Sequence, residues 1–317
     1  MLSLYLALPA FIAGIILLYK FSDLLVEGTS KTAAHFGISA LVISLIIVAF
    51  GTSAPEFAIS VGAAAQGEAE ISLGNIVGSC VANLLLVLGV SALISPIKVK
   101  KSVVKREMPV MVISTLILGL FSFTGLLDDY HFLGGILFLI FFFFFVFYFY
   151  RCAKKEKNHN KAVNQDNPIK NLFFIFIGIA GVILGAWLLI ESSKSIAEYI
   201  GVPTIIISLS MVAIGTSLPE LVVSVAASYK KEADISIGNV LGSNVFNIFL
   251  VLGASALFLP LKTTLAWGSL IFLFFATFMM FPVIYTGYII SRKEGFVLLV
   301  LYSIFIWYIF FGSNIPI

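Results

Sequence analysis

The chain has 317 residues, of which 60% are hydrophobic and 11% charged, and its mean hydropathy is +1.10. Soluble domains carry about a quarter charged residues, so this apolar surface must meet lipid or other membrane helices instead of a water-shielded core. The formal charge of +3 is confined to short loops and argues against nucleic acid, and Cys80 and Cys152 form neither a metal-ligand spacing nor a disulfide framework.

Apolar windows long enough to cross a hydrocarbon layer about 30 Å thick fall near 3–20, 39–65, 71–95, 107–126, 132–150, 171–190, 203–229, 235–259, 265–288 and 295–313. They predict an all-α integral membrane protein with ten transmembrane helices. The first segment lacks a basic leader region and runs on into a polar helical continuation, so no cleaved signal peptide is expected. Basic residues collect on the cytoplasmic side of a membrane. Lys20, Lys31, the group from Lys98 to Arg106, the group from Arg151 to Lys170, Lys230, Lys231, Arg292 and Lys293 share one set of alternate loops. Of the 19 basic residues, only Lys194 and Lys262 fall on the other side, with Asp128 and Asp129. The partition places the protein in the cell membrane with both termini external and the linker 151–170 cytoplasmic. That linker is too short to hold a folded domain. It divides a first five-helix half, 1–150, from a second, 171–317. Five is odd, so the halves run through the membrane in opposite senses, the inverted repeat common in secondary transporters.

The repeat is also written in the residues. Gly51-Thr52-Ser53-Ala54-Pro55-Glu56 recurs as Gly215-Thr216-Ser217-Leu218-Pro219-Glu220, an offset of 164 residues that holds without a gap from Gly37/Gly201 to Lys98/Lys262. At the same offset Gly74-Asn75-Ile76-Val77-Gly78-Ser79 and Asn83 become Gly238-Asn239-Val240-Leu241-Gly242-Ser243 and Asn247. Each copy puts a carboxylate, Glu56 or Glu220, inside an apolar span, where charge is expensive and marks a functional site.

Pro55 lacks an N–H and its ring obstructs the preceding turn, so the helix breaks there and frees carbonyls from Ala49 to Thr52. Irregular backbone at membrane depth survives only where it lines a cavity or lies within protein. Carboxylate, carbonyl and hydroxyl oxygens then stand together, a donor set for a hard cation such as Na⁺ or Ca²⁺. Two bidentate glutamates and the carbonyls of Thr52 and Thr216 supply six of the roughly six to eight oxygens that Ca²⁺ takes. The small-xxx-small pairs Gly74/Gly78 and Gly238/Gly242 taken alone read as helix packing. Ser79 with Asn83 and Ser243 with Asn247 are four residues apart and share a helix face. That placement suits ligation, support of the acids, or ordinary interhelical bonding. The Phe-rich run from Phe141 to Tyr150 reads as a lipid-facing helix ending in an aromatic belt.

These doubled blocks resemble the α-repeats of the sodium/calcium exchanger family, and the short linker resembles that of its compact prokaryotic members. The resemblance implies four cation subsites. Glu56 and Glu220 would be shared by Ca²⁺ and Na⁺, with the Thr52 and Thr216 carbonyls joining them around Ca²⁺. The Ala49 carbonyl with Ser53 and Ser79 would form one Na⁺ subsite, and the Ala213 carbonyl with Ser217 and Ser243 its mirror image. Asn83 and Asn247 would stand at the central subsite. Archaeal members carry an Asp where this chain has Asn247, which weakens any case for proton coupling there. The function implied is Na⁺/Ca²⁺ antiport by alternating access; the alternative is Ca²⁺/H⁺ antiport through the same glutamates. A passive cation channel and a purely structural membrane protein are the readings from other classes. No nucleophile–base pair, phosphate loop or nucleotide motif points to an enzyme. No cofactor or obligate protein partner is expected. Ca²⁺, Na⁺ and membrane lipid are the expected partners.

Overall fold

The computed structural model describes residues 4–159, 167–200, 215–285 and 287–312, and these are almost wholly helical. In chain order the helices are α1 (Leu4–Phe36), α2 (Ala40–Thr52), α3 (Ala54–Ala65), α4 (Ala69–Ile94), α5 (Lys101–Phe123) and α6 (His131–His159). They continue with α7 (Pro168–Tyr199), α8 (Leu218–Tyr229), α9 (Ala233–Ala256), α10 (Trp267–Tyr285) and α11 (Arg292–Phe311). Among the described residues eight of them are long and apolar enough to cross a membrane, and α2 with α3, bent by 47°, is apolar enough only as a pair. The chain is a multi-pass membrane protein. The tenth expected span, 203–229, is described only over α8, because 201–214 lie outside the described residues.

Several boundaries differ from the sequence reading. The polar continuation of the first helix runs to Phe36, as expected, while the sixth extends past 190 to Tyr199, carrying Glu191 and Lys194 with it. The two pack antiparallel along their length. A Cβ on Gly178 would stand 2.9 Å from Leu25 Cα, and one on Gly14 the same distance from Leu189 N. Small residues there let the backbones touch, which is how membrane helices associate without a hydrophobic drive between them. The linker is shorter than expected, since 151–159 continue α6 and Pro168 opens α7.

The two motif-bearing helices lie at the centre. The apolar window of α9 is 94% buried and that of α4 78%, against 28% for α1 and 22% for α11. The Phe-rich face of α6 is divided: Phe143 and Phe144 are exposed, while Phe142 and Phe145 pack on Phe246 of α9.

Contacts among loops sort into the two ends that the charge partition implies. At one end β1 (Ile97–Lys98) pairs antiparallel with β2 (Ile289–Ile290), Lys100 pairs with Asp234, and Glu156 Oε2 accepts the Ser39 N–H at 2.9 Å. Arg106 pairs there with Glu107 and Glu156. At the other end Leu261 N–H donates to Leu127 O at 3.0 Å and Thr263 N–H to Asp128 Oδ1 at 2.9 Å. The loops rich in lysine and arginine therefore meet each other, and the acidic loop of Asp128 lies at the far end.

Candidate cation site

The site begins with a broken helix in the first half and the turn at its repeat counterpart. Ser53, between α2 and α3, has φ −81° and ψ 7°, and Ser217, before α8, has φ −81° and ψ 5°. Pro55 and Pro219 stand in the first turns that follow, where a missing N–H costs nothing. The Thr52 and Thr216 carbonyls accept no backbone N–H among the described residues. The break frees less than the sequence suggested, however. Ala49 O accepts the Ser53 N–H at 3.0 Å and the Thr52 hydroxyl at 3.4 Å. Its counterpart Ala213 lies outside the described residues.

Glu56 and Glu220, each in the first turn of its helix, are fully buried at 0% exposure. Hydroxyls hold one oxygen of each. Ser79 Oγ donates to Glu56 Oε1 at 3.0 Å, and Glu220 Oε1 accepts from Ser53 at 3.0 Å and Ser243 at 3.3 Å. Ser217 donates to Ser79 Oγ at 3.0 Å and Asn247 Nδ2 to the same oxygen at 3.1 Å, which makes Ser79 a hub.

Across the two halves the bonds come in exchanged pairs. Thr52 Oγ1 donates to Asn239 Oδ1 at 3.1 Å, and Thr216 Oγ1 donates to Asn75 Oδ1 at 3.1 Å. Each asparagine in turn donates within its own half, Asn75 to Ser60 at 2.9 Å and Asn239 to Ser224 at 3.1 Å. The asparagine of each Gly-Asn pair thus anchors the threonine of the opposite half. The sequence reading passed over these two residues individually, although their recurrence at the repeat offset marks them.

At this site four buried acceptor oxygens have no hydrogen-bond partner among the described residues: Glu56 Oε2, Glu220 Oε2, Asn83 Oδ1 and Asn247 Oδ1. Buried polar atoms are almost always bonded, and exceptions call for a reason such as an ion. These four are two carboxylate and two amide oxygens, equivalent in pairs at the repeat offset. All are hard donors with no nitrogen or sulfur among them, the kind of oxygen set that Ca²⁺ takes.

Two further features were not legible. Asn244 accepts from Asn83 Nδ2 at 3.1 Å and donates to Cys80 O at 3.3 Å, tying α4 to α9. Its repeat equivalent is Cys80, so motif matching gives no signal for it. Both central helices also open into π-helical turns at the site, over Asn83–Val87 and Phe246–Leu252, and α2 does so over Ser44–Val48. Such turns recur at functional sites.

A family model described as sodium/calcium exchanger protein matches residues 6–151 and 170–311. The sodium/calcium exchanger MaX1 of Methanosarcina acetivorans is 34% identical, with 94% of this chain and 97% of that protein aligned. An uncharacterised membrane protein of Methanocaldococcus jannaschii is also 34% identical, over 95% of this chain and 97% of its own length. The solved structure of the sodium-calcium exchanger NCX_Mj soaked with Na⁺ and Sr²⁺ superposes with a TM-score of 0.82 at 32% identity, covering 96% of this chain and 99% of that one.

Proposed function

The chain belongs to the sodium/calcium exchanger protein family, an ion-transporter family and not a family of enzymes, and on that premise we propose that it exchanges Na⁺ for Ca²⁺ by alternating access. The four unpartnered oxygens carry the proposal. Ca²⁺ sits between Glu56 and Glu220, with the free carbonyls of Thr52 and Thr216 completing its shell. Two carboxylates neutralise one divalent ion. Na⁺ occupies flanking positions built from Ser53 and Ser79 in one half and Ser217 and Ser243 in the other, and Asn83 and Asn247 face the centre.

Ten spans arranged as two inverted repeats underlie this reading, and the exchanged Thr–Asn bonds support it. The loop partition supports a cytoplasmic linker and external termini. Exchange of three Na⁺ for one Ca²⁺ moves one net charge, about 2.3 kcal/mol per 100 mV, so a negative interior and an inward Na⁺ gradient expel Ca²⁺.

Proton coupling would use the same carboxyls. The amides at 83 and 247 favour Na⁺, because an Oδ1 ligates a cation without giving up a proton. In calorimetry, Ca²⁺ titrated into protein held in choline should bind, Na⁺ should displace it competitively, and Glu220→Gln should bind neither. Ca²⁺ binding that ignores Na⁺ would remove the shared site.

A further inference from the structure

The offset that relates the two halves also relates two hollows at opposite ends of the molecule. One, of about 420 Å³, lies between α7 and α3, is lined by Pro55, Ala58, Trp187 and Glu191, and reaches inward to Asn75 and Thr216 of the site. The other, also about 420 Å³, lies between α1 and α8 and is lined by Tyr19, Asp23, Val222 and Lys230, with no residue of the site among its walls. Val222 is equivalent to Ala58 and Asp23 to Trp187. The first hollow therefore reaches residues that border the cation site, which we take as the open end, and the second does not.

At the closed end polar bonds join α1 to the turn between α8 and α9. Ser30 Oγ donates to Glu232 Oε1 at 2.9 Å, and Lys230 Nζ donates to Asp23 O at 3.1 Å and pairs with the Asp23 carboxylate. The offset carries Ser30 onto Lys194 of α7 and Glu232 onto Glu68 in the turn between α3 and α4. An ammonium and a carboxylate thus occupy the positions that, at the closed end, hold a hydroxyl and a carboxylate in contact. Among the described residues Lys194 and Glu68 share no bond, and Glu68 is exposed. Lys230 and Asp23 correspond to Gln66 and Trp187, which form no ion pair, so Lys194 with Glu68 is the charged couple that the open end offers at these positions.

We infer that Lys194 and Glu68 form an ion pair that closes the hollow between α7 and α3 when the two halves exchange conformations. The inference rests on the inverted-repeat reading, in which each half takes up the other's conformation as access alternates, with the packed pair α1 and α7 shifting against the helices that hold the site. α7 then meets the α3–α4 turn as α1 meets the α8–α9 turn here. The pair is absent with the hollow open and present with it closed, and only such a differential contact shifts a conformational equilibrium. Neither residue touches a transported ion; both are positioning residues.

Exchange rates in proteoliposomes test this with Lys194→Glu, Glu68→Lys and the double reversal. Each single reversal sets like charges together and should slow exchange by about two- to five-fold, the range of an exposed ion pair. The double reversal should restore the wild-type rate, and high salt should erase the differences. Single reversals at the wild-type rate, or a double reversal as slow as the singles, would overturn the pair. The comparison is made on whichever gradient, Na⁺ or proton, drives uptake by the wild type. Failure of Na⁺ coupling is therefore read from the wild type alone, and failure of the pair from the reversals.

Discussion

Gly242→Ala tests whether close contact between α2 and α9 holds the site in register. A Cβ at position 242 would stand 2.3 Å from Leu45 O and 2.7 Å from Ala49 Cβ. Ordinary C···O contacts begin near about 3.3 Å, so the two helices must part by about 1 Å. Neither neighbour is a flexible side-chain end that swings aside. Overfilling a packed interface costs about 1–3 kcal/mol, while Ala in place of a helical Gly returns about 1 kcal/mol. The balance is a loss of up to about 2 kcal/mol. The same displacement stretches the 3.1 Å bond from Thr52 to Asn239 beyond hydrogen-bond range and draws the Thr52 carbonyl off the centre. Thermal unfolding in detergent, with and without Ca²⁺, should show a lower midpoint and a smaller Ca²⁺-induced rise, because a ligand stabilises in proportion to how tightly it binds the folded state. Gly62 in α3 has nothing within 4 Å of an added Cβ, so Gly62→Ala should instead gain about 0.5–1 kcal/mol. A Gly242→Ala protein that melts at or above the wild type with an unchanged Ca²⁺ response would refute the argument.

Ser79 and Ser243 are equivalent in the repeat but not in the bonds they make. Ser79→Ala strands Glu56 Oε1 and removes the acceptor for Ser217 and Asn247, and should weaken Ca²⁺ binding by about 5- to 150-fold. Ser243→Ala loses one 3.3 Å bond to an oxygen that Ser53 still serves; equal losses in a Ca²⁺ titration would contradict the hub. At the basic end, Arg106→Ala leaves Glu107, whose side chain is fully buried, without its cation. Discounted for the partial exposure of the arginine, that should cost about 2–3 kcal/mol, and adding Glu107→Gln should recover most of it. A double variant no more stable than Arg106→Ala in a thermal scan would assign the loss to something other than the stranded acid.

The parts of this molecule that were legible in advance share one property: they are local or duplicated. The break at Ser53 follows from proline chemistry, and the equivalence of Glu56 and Glu220, both buried, follows from the repeat offset. What was missed depends on the partner helix. The sixth span runs on to Tyr199 beyond its apolar window, and the contacts of Asp23 and Ser30 with the α8–α9 turn lie in no hydropathy window. The π-helical turn at Asn83 is a choice between bonding patterns that residue spacing does not encode, and Asn244 acts through a position that the repeat does not share. The Ala49 carbonyl was misread for a different reason. Pro55 withdraws the donor that would serve Gly51 O, four residues back, whereas Ala49 O keeps its ordinary helical partner, the Ser53 N–H.

The most direct test of the central claim is radioactive Ca²⁺ uptake into proteoliposomes preloaded with Na⁺, run beside vesicles preloaded with choline and carrying an imposed pH gradient. Uptake that requires internal Na⁺ and vanishes in Glu56→Gln and Glu220→Gln is the predicted result. Uptake driven by the pH gradient and indifferent to Na⁺ would contradict Na⁺/Ca²⁺ exchange and assign the two buried carboxyls to proton-coupled transport.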